Sequence, residues 1–237
     1  MTAAGLLEIL TKEYETIRTI SQKSGADRGC SRIMRSRSAD FRAVLRLFPA
    51  VNPIYEFLKT VSFENLPEVY DTYILDDGYA VLEEYIDGLT VAEVIENGLY
   101  TKSGAVRVIS DVCDALTVLH ENGFVHRDVK PENVMISKSD TVKLIDFDVS
   151  RKITAGKSAD TDILGTVGYA PPEQYGIAQS DPRSDIYAAG VLLNVMLTGK
   201  HPSEQLAKGR LGKVVLKCTQ IDPNARYQTA EELKKAL

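Results

Sequence analysis

The sequence predicts an α+β chain of two lobes, a small β-rich one over residues 14–84 and a larger helical one over residues 88–237. Three observations carry this. Short runs rich in β-branched and aromatic residues crowd the first third, separated by turn-forming pieces. After Gly88 the apolar residues recur with helical spacing instead. The change of texture falls on a brief junction, Glu84 to Gly88, as expected where two packed layers meet within one domain of residues 1–237.

The strand-like runs are YETIRTI (14–20), SRIMRS (31–36), FRAVLRLF (41–48), EVYDTYIL (68–75) and YAVLEEYI (79–86). The pieces between them, such as SQKSGADRG and DDG, supply turns. One helix-compatible stretch, Asn52 to Val61, interrupts the strands. In the second lobe a short helix is predicted over 90–96 and a long one over 103–122. The long one carries an apolar stripe of Val106, Ile109, Val112, Cys113, Leu116 and Leu119 and stops at Gly123, which suits the left-handed position after a helix end. Further helices are expected over 183–198, 211–219 and 229–237. The chain has no internal repeat and no low-complexity tract.

Composition narrows the class. With 44% hydrophobic and 26% charged residues the chain reads as an ordinary soluble globular protein. Lys and Arg number 28 against 33 Asp and Glu, so no basic excess points to nucleic acid. Cys30, Cys113 and Cys218 lie far apart without metal-ligand spacing and read as reduced cytosolic thiols. The opening MTAAGLLEILTKEYETI has too short an apolar run and too many acids for a signal peptide, and no stretch reaches membrane-spanning length. The expectation is a cytoplasmic chain with no membrane contact inside it.

The densest chemistry lies at residues 126–133, His-Arg-Asp-Val-Lys-Pro-Glu-Asn, followed by Ile145-Asp146-Phe147-Asp148. A His-Arg-Asp triplet arises easily by chance. An eight-residue string with a second Asp-Phe at a fixed distance does not. Together they supply a carboxylate, a cation and hard oxygen ligands at set offsets, which is what phosphoryl transfer from a nucleotide requires. In this the chain resembles the eukaryotic-type serine/threonine protein kinase family, in particular its short bacterial members. The resemblance covers nearly the whole chain and implies the two-lobed kinase fold with ATP and Mg²⁺ in the cleft.

Carried onto this sequence, the resemblance makes Asp128 the group that orients the substrate hydroxyl and accepts its proton, and Lys130 the cation that neutralises the moving phosphate. Asn133 and Asp146 become the Mg²⁺ ligands, with His126 and Phe147 as packing residues. Thr166, seven residues before Glu173, falls where kinases place the threonine that touches the catalytic aspartate and lysine. Asp185 falls where an aspartate braces the catalytic loop, and Arg226 looks like the buried partner of Glu173. The loop after Asp148 offers Ser158, Thr161 and Thr154 for a regulatory phosphate facing Arg127. Only HPSEQLAKGR separates two helices near the C-terminal end, where larger kinases carry a further helix.

The first lobe departs from the family pattern. The glycine-rich phosphate loop becomes Ser24, Ala26 and Gly29, and Ser31 replaces the valine usual under adenine. Ala43-Val44-Leu45-Arg46 stands for Val-Ala-Ile-Lys, which puts Val44 at the adenine and Arg46 in place of the ATP-contacting lysine. Met135 is the matching adenine contact in the second lobe. Counting back from Asn65-Leu66 puts Ile54 where the lysine's glutamate partner belongs, with Glu56 on another helix face. Glu83 takes a normally apolar position just before the hinge, where the Glu84 carbonyl and Ile86 amide would bind adenine. Asp148 replaces a glycine. The resemblance thus implies a kinase acting on protein Ser/Thr hydroxyls, with a catalytically silent kinase-fold scaffold that still binds nucleotide as the alternative. Arg46 and Glu83 are expected to form one compensated ion pair. The sequence names neither a substrate nor an oligomeric state.

Overall fold

The computed structural model describes residues 1–21, 30–153, 168–171, 173 and 180–237. Thr166, Ser24, Ala26 and Gly29 lie outside these residues, as do Thr154, Ser158 and Thr161. The chain divides into two compact units, one of Met1–Phe63 with Pro67–Ile86 and one of Glu64–Leu66 with Asp87–Leu237.

The first unit is built on an antiparallel sheet of β1 (Tyr14–Ser21), β2 (Cys30–Ser36), β3 (Arg42–Phe48), β4 (Val69–Leu75) and β5 (Gly78–Glu84), ordered β1-β2-β3-β5-β4. All five strands coincide with runs read from the sequence, because alternation and β-branching act locally. One element was not anticipated. Residues Ala3–Leu10 form helix α1, capped by Thr2, whose Oγ1 accepts the Gly5 N–H. Leu6 and Leu10, one turn apart, seat α1 on Met34, Ala43, Leu45, Ala80 and Leu82. Arg37 Nε donates to the Thr11 carbonyl at 3.0 Å and the Ala3 N–H to Asp77 Oδ1 at 3.0 Å, tying both ends of the helix to the sheet.

The opposite sheet face receives helix α2 (Pro53–Leu58), started by Asn52 and Pro53 and buried through Ile54, Tyr55 and Leu58. Phe48 sits between the rings of Tyr55 and Tyr79, with centroids 5.2 and 6.4 Å away. Tyr79 Oη donates to Glu56 at 2.9 Å.

The second unit is mainly helical, with α3 (Val91–Glu96), α4 (Lys102–Glu121), α5 (Pro182–Thr198), α6 (Arg210–Cys218) and α7 (Ala230–Ala236). Its small strands are β6 (Gly88–Thr90), β8 (Val134–Ser137) and β9 (Val142–Leu144) in one sheet, and β7 (Phe124–Val125) with β10 (Arg151–Lys152) in another. These short pairs were not legible, since two to four residues carry no usable periodicity. The segment Glu64–Leu66 belongs here through three bonds. The Leu144 N–H donates to the Asn65 carbonyl, Asn65 Nδ2 to the Val142 carbonyl and Lys143 Nζ to the Leu66 carbonyl. Gly123 has φ 77, the left-handed helix stop anticipated for α4. No helix among the described residues is long and apolar enough to cross a membrane.

Helix α5 is the axis of the second unit, buried on nearly every side. Asp181 caps it, Pro182 opens it, and Gly199 with φ 70 ends it. Helix α6 approaches it at Gly190, where a Cβ would lie 2.2 Å from Cys218 Cβ. Burial pushes the Cys218 thiol up to about 12 and raises Cys113 as well, so both act as apolar filler. Gly190→Ala should therefore lower stability by about 1–3 kcal/mol through overpacking, read as a fall in the denaturant midpoint without a change in slope.

Candidate functional site

The segment from β7 to β9 gathers the chemistry. The chain leaves β7 at Val125, runs through residues 126–130 without regular structure, makes a 3₁₀ turn at Pro131–Asn133 and enters β8. Pro131 suits the first position of that turn, which needs no N–H. The turn folds Asn133 back on the loop, so Asn133 Nδ2 donates to both the carbonyl and Oδ2 of Asp128 at 2.9 Å. Lys130 Nζ lies 2.7 Å from the same Oδ2. The Asp128 carboxylate, partly exposed, is thus held between an amide and an ammonium.

The Ile145 N–H donates to the Asn133 carbonyl at 2.9 Å, which brings the residue before Asp146 onto the turn. Asp146 itself takes φ 67 and Arg127 φ 71. Positive φ at a non-glycine residue costs about 1–3 kcal/mol and persists only where surrounding bonds impose it. At Arg127 those bonds are identifiable. Asp185, fully buried in the first turn of α5, accepts the backbone N–H of His126 at 2.8 Å and of Arg127 at 2.7 Å, and His120 Nε2 lies 2.8 Å from its Oδ2.

Burial alone would raise the Asp185 carboxyl. The His120 hydrogen bond and charge, with the hydrogen bond from the His126 backbone N–H, outweigh it and hold the group below its ordinary value. His126 moves down for the opposite reason. Full burial disfavours its cation more than Asp185, Asp128, Asp146 and the Ile145 carbonyl favour it. The neutral ring satisfies both its neighbours, with Nε2–H donating to the Ile145 carbonyl at 3.1 Å and Nδ1 accepting the Asp128 N–H at 3.3 Å. Phe147 packs edge-on against it at 5.1 Å. Both residues pack, as expected.

A second brace lies further along the chain. Glu173 receives Arg226 through two bonds, Nη1 to Oε1 at 2.6 Å and Nη2 to Oε2 at 3.0 Å. Arg226 also donates to the carbonyls of Gln220, Arg183 and Ile221, and Ser184 Oγ donates to Glu173. The expected pair is present, with its charges saturated.

The remaining candidates fall on the first unit, apart from Met135, which pairs with Thr90 and Lys143 inside the β6-β8-β9 sheet. Val44 faces Glu83 across β3 and β5, and Arg46 faces Val81, so Arg46 and Glu83 share a sheet face as diagonal neighbours. Their side chains meet at 3.6 Å as a buried ion pair, longer than a hydrogen bond. Ile54 is buried, and Glu56 instead accepts from Tyr79. Glu84 anchors the end of β5, its N–H donating to the Glu68 carbonyl at 2.8 Å. Ile86 is the last residue of the first unit. Asp148 is exposed.

Sequence reasoning missed His120 and Ser150, whose Oγ donates to the His126 carbonyl at 3.1 Å. A histidine in the last turn of α4 looks like an ordinary match to the helix dipole, so nothing local marked it. Among the described residues no cluster of three or more His, Cys, Asp or Glu side chains suits a metal. A cation here would rest on the Asn133 amide oxygen and the Asp146 carboxylate. Those hard donors suit Mg²⁺, which takes few protein ligands and keeps phosphate and water oxygens. Because Asn133 Nδ2 is committed to Asp128, its oxygen is the atom left for a cation.

Residues 54–237 match the protein kinase domain family. The chain is 35% identical over 184 residues to the serine/threonine-protein kinase PknB of Mycobacterium tuberculosis, covering 66% of this chain and 29% of that protein. It is 38% identical over 152 residues to the probable serine/threonine-protein kinase PknB of Corynebacterium glutamicum, covering 61% and 24%. It is 31% identical over 200 residues to the serine/threonine-protein kinase PrkC of Bacillus subtilis, covering 74% and 31%. The matched region thus spans less than a third of the length of each relative.

The His126 environment has a pH consequence. Its folded pKa lies below the ordinary 6.5, so its contribution to stability is complete above that value and is lost as pH falls toward the folded value. Asp185 is also depressed, from 3.8, so its contribution is lost only at lower pH. Below pH 6.5 the unfolded chain takes up a proton that buried His126 resists, whereas Asp185 contributes only below its ordinary 3.8, so the window between 6.5 and 3.8 belongs to His126. The melting temperature of the wild type should fall across that window, and His126→Phe should show a shallower fall from a lower start.

Proposed function

Since the chain belongs to the protein kinase family, we propose that it is a serine/threonine protein kinase transferring the ATP γ-phosphate to protein hydroxyls. The observation that carries this is the Asp128 carboxylate held between Asn133 Nδ2 and Lys130 Nζ in a loop whose backbone is clamped by Asp185. A carboxylate so oriented turns an oxygen toward an incoming hydroxyl and accepts its proton as the phosphorus–oxygen bond forms. Lys130 offsets the charge on the transferring phosphoryl group. Asn133 and Asp146 would hold Mg²⁺, which when bound neutralises phosphate charge and orients the nucleotide. Val44, Arg46, Glu84 and Ile86 on the first unit, Met135 on the second, and Ser24, Ala26 and Gly29 are assigned to the nucleotide. Thr166 is assigned to the contact with Asp128 and Lys130.

A second reading, a nucleotide-binding scaffold without turnover, is favoured by one observation. Arg46 stands where the family has lysine, and a planar guanidinium does not copy a compact ammonium. Transfer of label from ATP with Mg²⁺ to protein separates the two. We expect label with the wild type and a loss of at least about 100-fold in Asp128→Asn, the size of a general-base contribution. Equal label in both would remove Asp128 from the chemistry, and none in either would favour the scaffold.

Nucleotide binding is tested separately by melting. ATP with Mg²⁺ at about 100 times its Kd should stabilise the wild type by about 2.7 kcal/mol. Asp146→Ala should show a much smaller shift, and an equal shift would remove Asp146 from the cation.

A further inference from the structure

The start of helix α4 and the connection from α5 into α6 enclose a cavity of about 460 Å³ within the second unit. Lys102, Ser103 and Val106 line it from α4, and Lys208, Arg210 and Leu211 line it from the other side. Both rims are fixed to α5. The Tyr100 N–H donates to the Met196 carbonyl at 3.0 Å just before α4 begins. Across the cavity, Asn194 Oδ1 accepts the Ala207 N–H at 2.8 Å while its Nδ2 donates to the carbonyls of Lys200 and Gln205. Helix α6 then starts so close to this connection that a Cβ at Gly212 would collide with the Ala207 carbonyl oxygen.

The cavity is apolar at its floor and positive at its rim. Leu211 is buried and Val106 half-buried, whereas Lys102, Lys208 and Arg210 are exposed. Arg210 gives Nη1 to the Ala236 carbonyl at 2.9 Å and Nη2 to the main-chain oxygen of Leu237. Lys102 and Lys208 make no hydrogen bond and no ion pair among the described residues. No acid is among the residues that line the cavity, and the first turns of α4 and α6 carry none either. Lys102 and Arg210 open those two helices, so each cation also meets the positive end of a helix dipole. In a chain of net charge −5, three cations gathered without one carboxylate are not a consequence of composition.

We propose that this cavity is a docking site for an acidic peptide segment of a partner protein, with an apolar side chain seated on Val106 and Leu211 and flanking carboxylates on Lys102, Lys208 and Arg210. Its volume falls within the range of about 300–1,000 Å³ that ligand sites occupy. Cations on two sides of an apolar floor match negative charges separated by an apolar group. A peptide carries that pattern and a free phosphate does not, since a single anion leaves the floor wet. Charge complementarity of this kind selects the partner and speeds its arrival. The docking site is independent of the assignments made to Asp128, Asp146 and Arg46.

The test is fluorescence anisotropy of the full chain with a labelled peptide of one leucine flanked on each side by two glutamates. Binding should saturate and should weaken as salt rises. Lys102→Gln/Lys208→Gln should weaken it about tenfold, equivalent to about 1.4 kcal/mol and the scale of two exposed ion pairs. Replacing the leucine of the peptide with serine should weaken it by a similar factor, because the apolar contact is lost. Lys12→Gln/Lys138→Gln, which removes the same charge elsewhere on the chain, should bind as the wild type does. Reversing the rim with Lys102→Glu/Lys208→Glu should transfer the preference to a peptide with lysines in place of the glutamates, a change that loss of folding does not produce. No binding by the wild type, wild-type affinity in Lys102→Gln/Lys208→Gln, or equal affinity for the leucine and serine peptides would overturn the proposal. Displacement of the peptide by inorganic phosphate at unchanged ionic strength would overturn it in favour of a free anion.

Discussion

Burying a carboxylate without solvent costs several kcal/mol unless its oxygens are fully used, and Asp185 meets that condition by accepting two backbone N–H groups and a histidine. The bonds run outward from a rigid helix to a segment that has no regular structure of its own. The consequence is directional. Helix α5 cannot move to suit the loop, so the loop takes the conformation α5 imposes, including φ 71 at Arg127. Asp128 follows directly on the two residues so fixed, and the 3₁₀ turn beyond it brings Asn133 back onto its carboxylate. The geometry around Asp128 thus depends on a residue 57 positions away in sequence.

The Glu173–Arg226 pair works by the same rule with the charges reversed. Arg226 is fully enclosed, and its guanidinium is used by one carboxylate and three carbonyls. Two of those carbonyls belong to the turn after α6 and one to the first turn of α5. The arginine therefore fastens the end of one helix to the start of another, with Tyr187 beneath it at 5.0 Å. Neither brace is a strong source of net stability, because desolvation consumes most of the Coulomb energy. Each specifies geometry, since loss of either partner would strand a buried charge.

What was legible in the sequence follows from this division. The strands of the first unit and the helices of the second announce themselves through periodicity, which is local. The string of residues 126–133, Asp185 and the Glu173–Arg226 pair were legible because their spacing resembles a family. Helix α1 was not, because AAGLLEIL is short and its apolar side becomes meaningful only once Met34, Leu45 and Leu82 lie beneath it. His120 was not, because its role arises from a contact across 65 residues. The match to the kinase family begins at residue 54, after β3, and the substitutions at Ser31, Val44 and Arg46 all lie before that point. The part of the first unit that departs most from the family pattern is the part that had to be understood from its own chemistry.

That chemistry divides cleanly between the two faces of one sheet. Side chains alternate across a strand, so in β3 Ala43 and Leu45 point to one face while Val44 and Arg46 point to the other. The first face is sealed by the leucines of α1, with nothing charged among the residues of that cluster. The second carries the guanidinium, the glutamate and the three rings of Phe48, Tyr55 and Tyr79. A charge tolerates such a site only with a partner at hand, and in an antiparallel ladder the nearest positions able to supply one are on the adjacent strand. An acid placed at residue 83 by the β5 register stands at such a position, 3.6 Å from the guanidinium. The short α2, with Ile54 in the core and Glu56 bonded to Tyr79, covers this face through its apolar side and its rings.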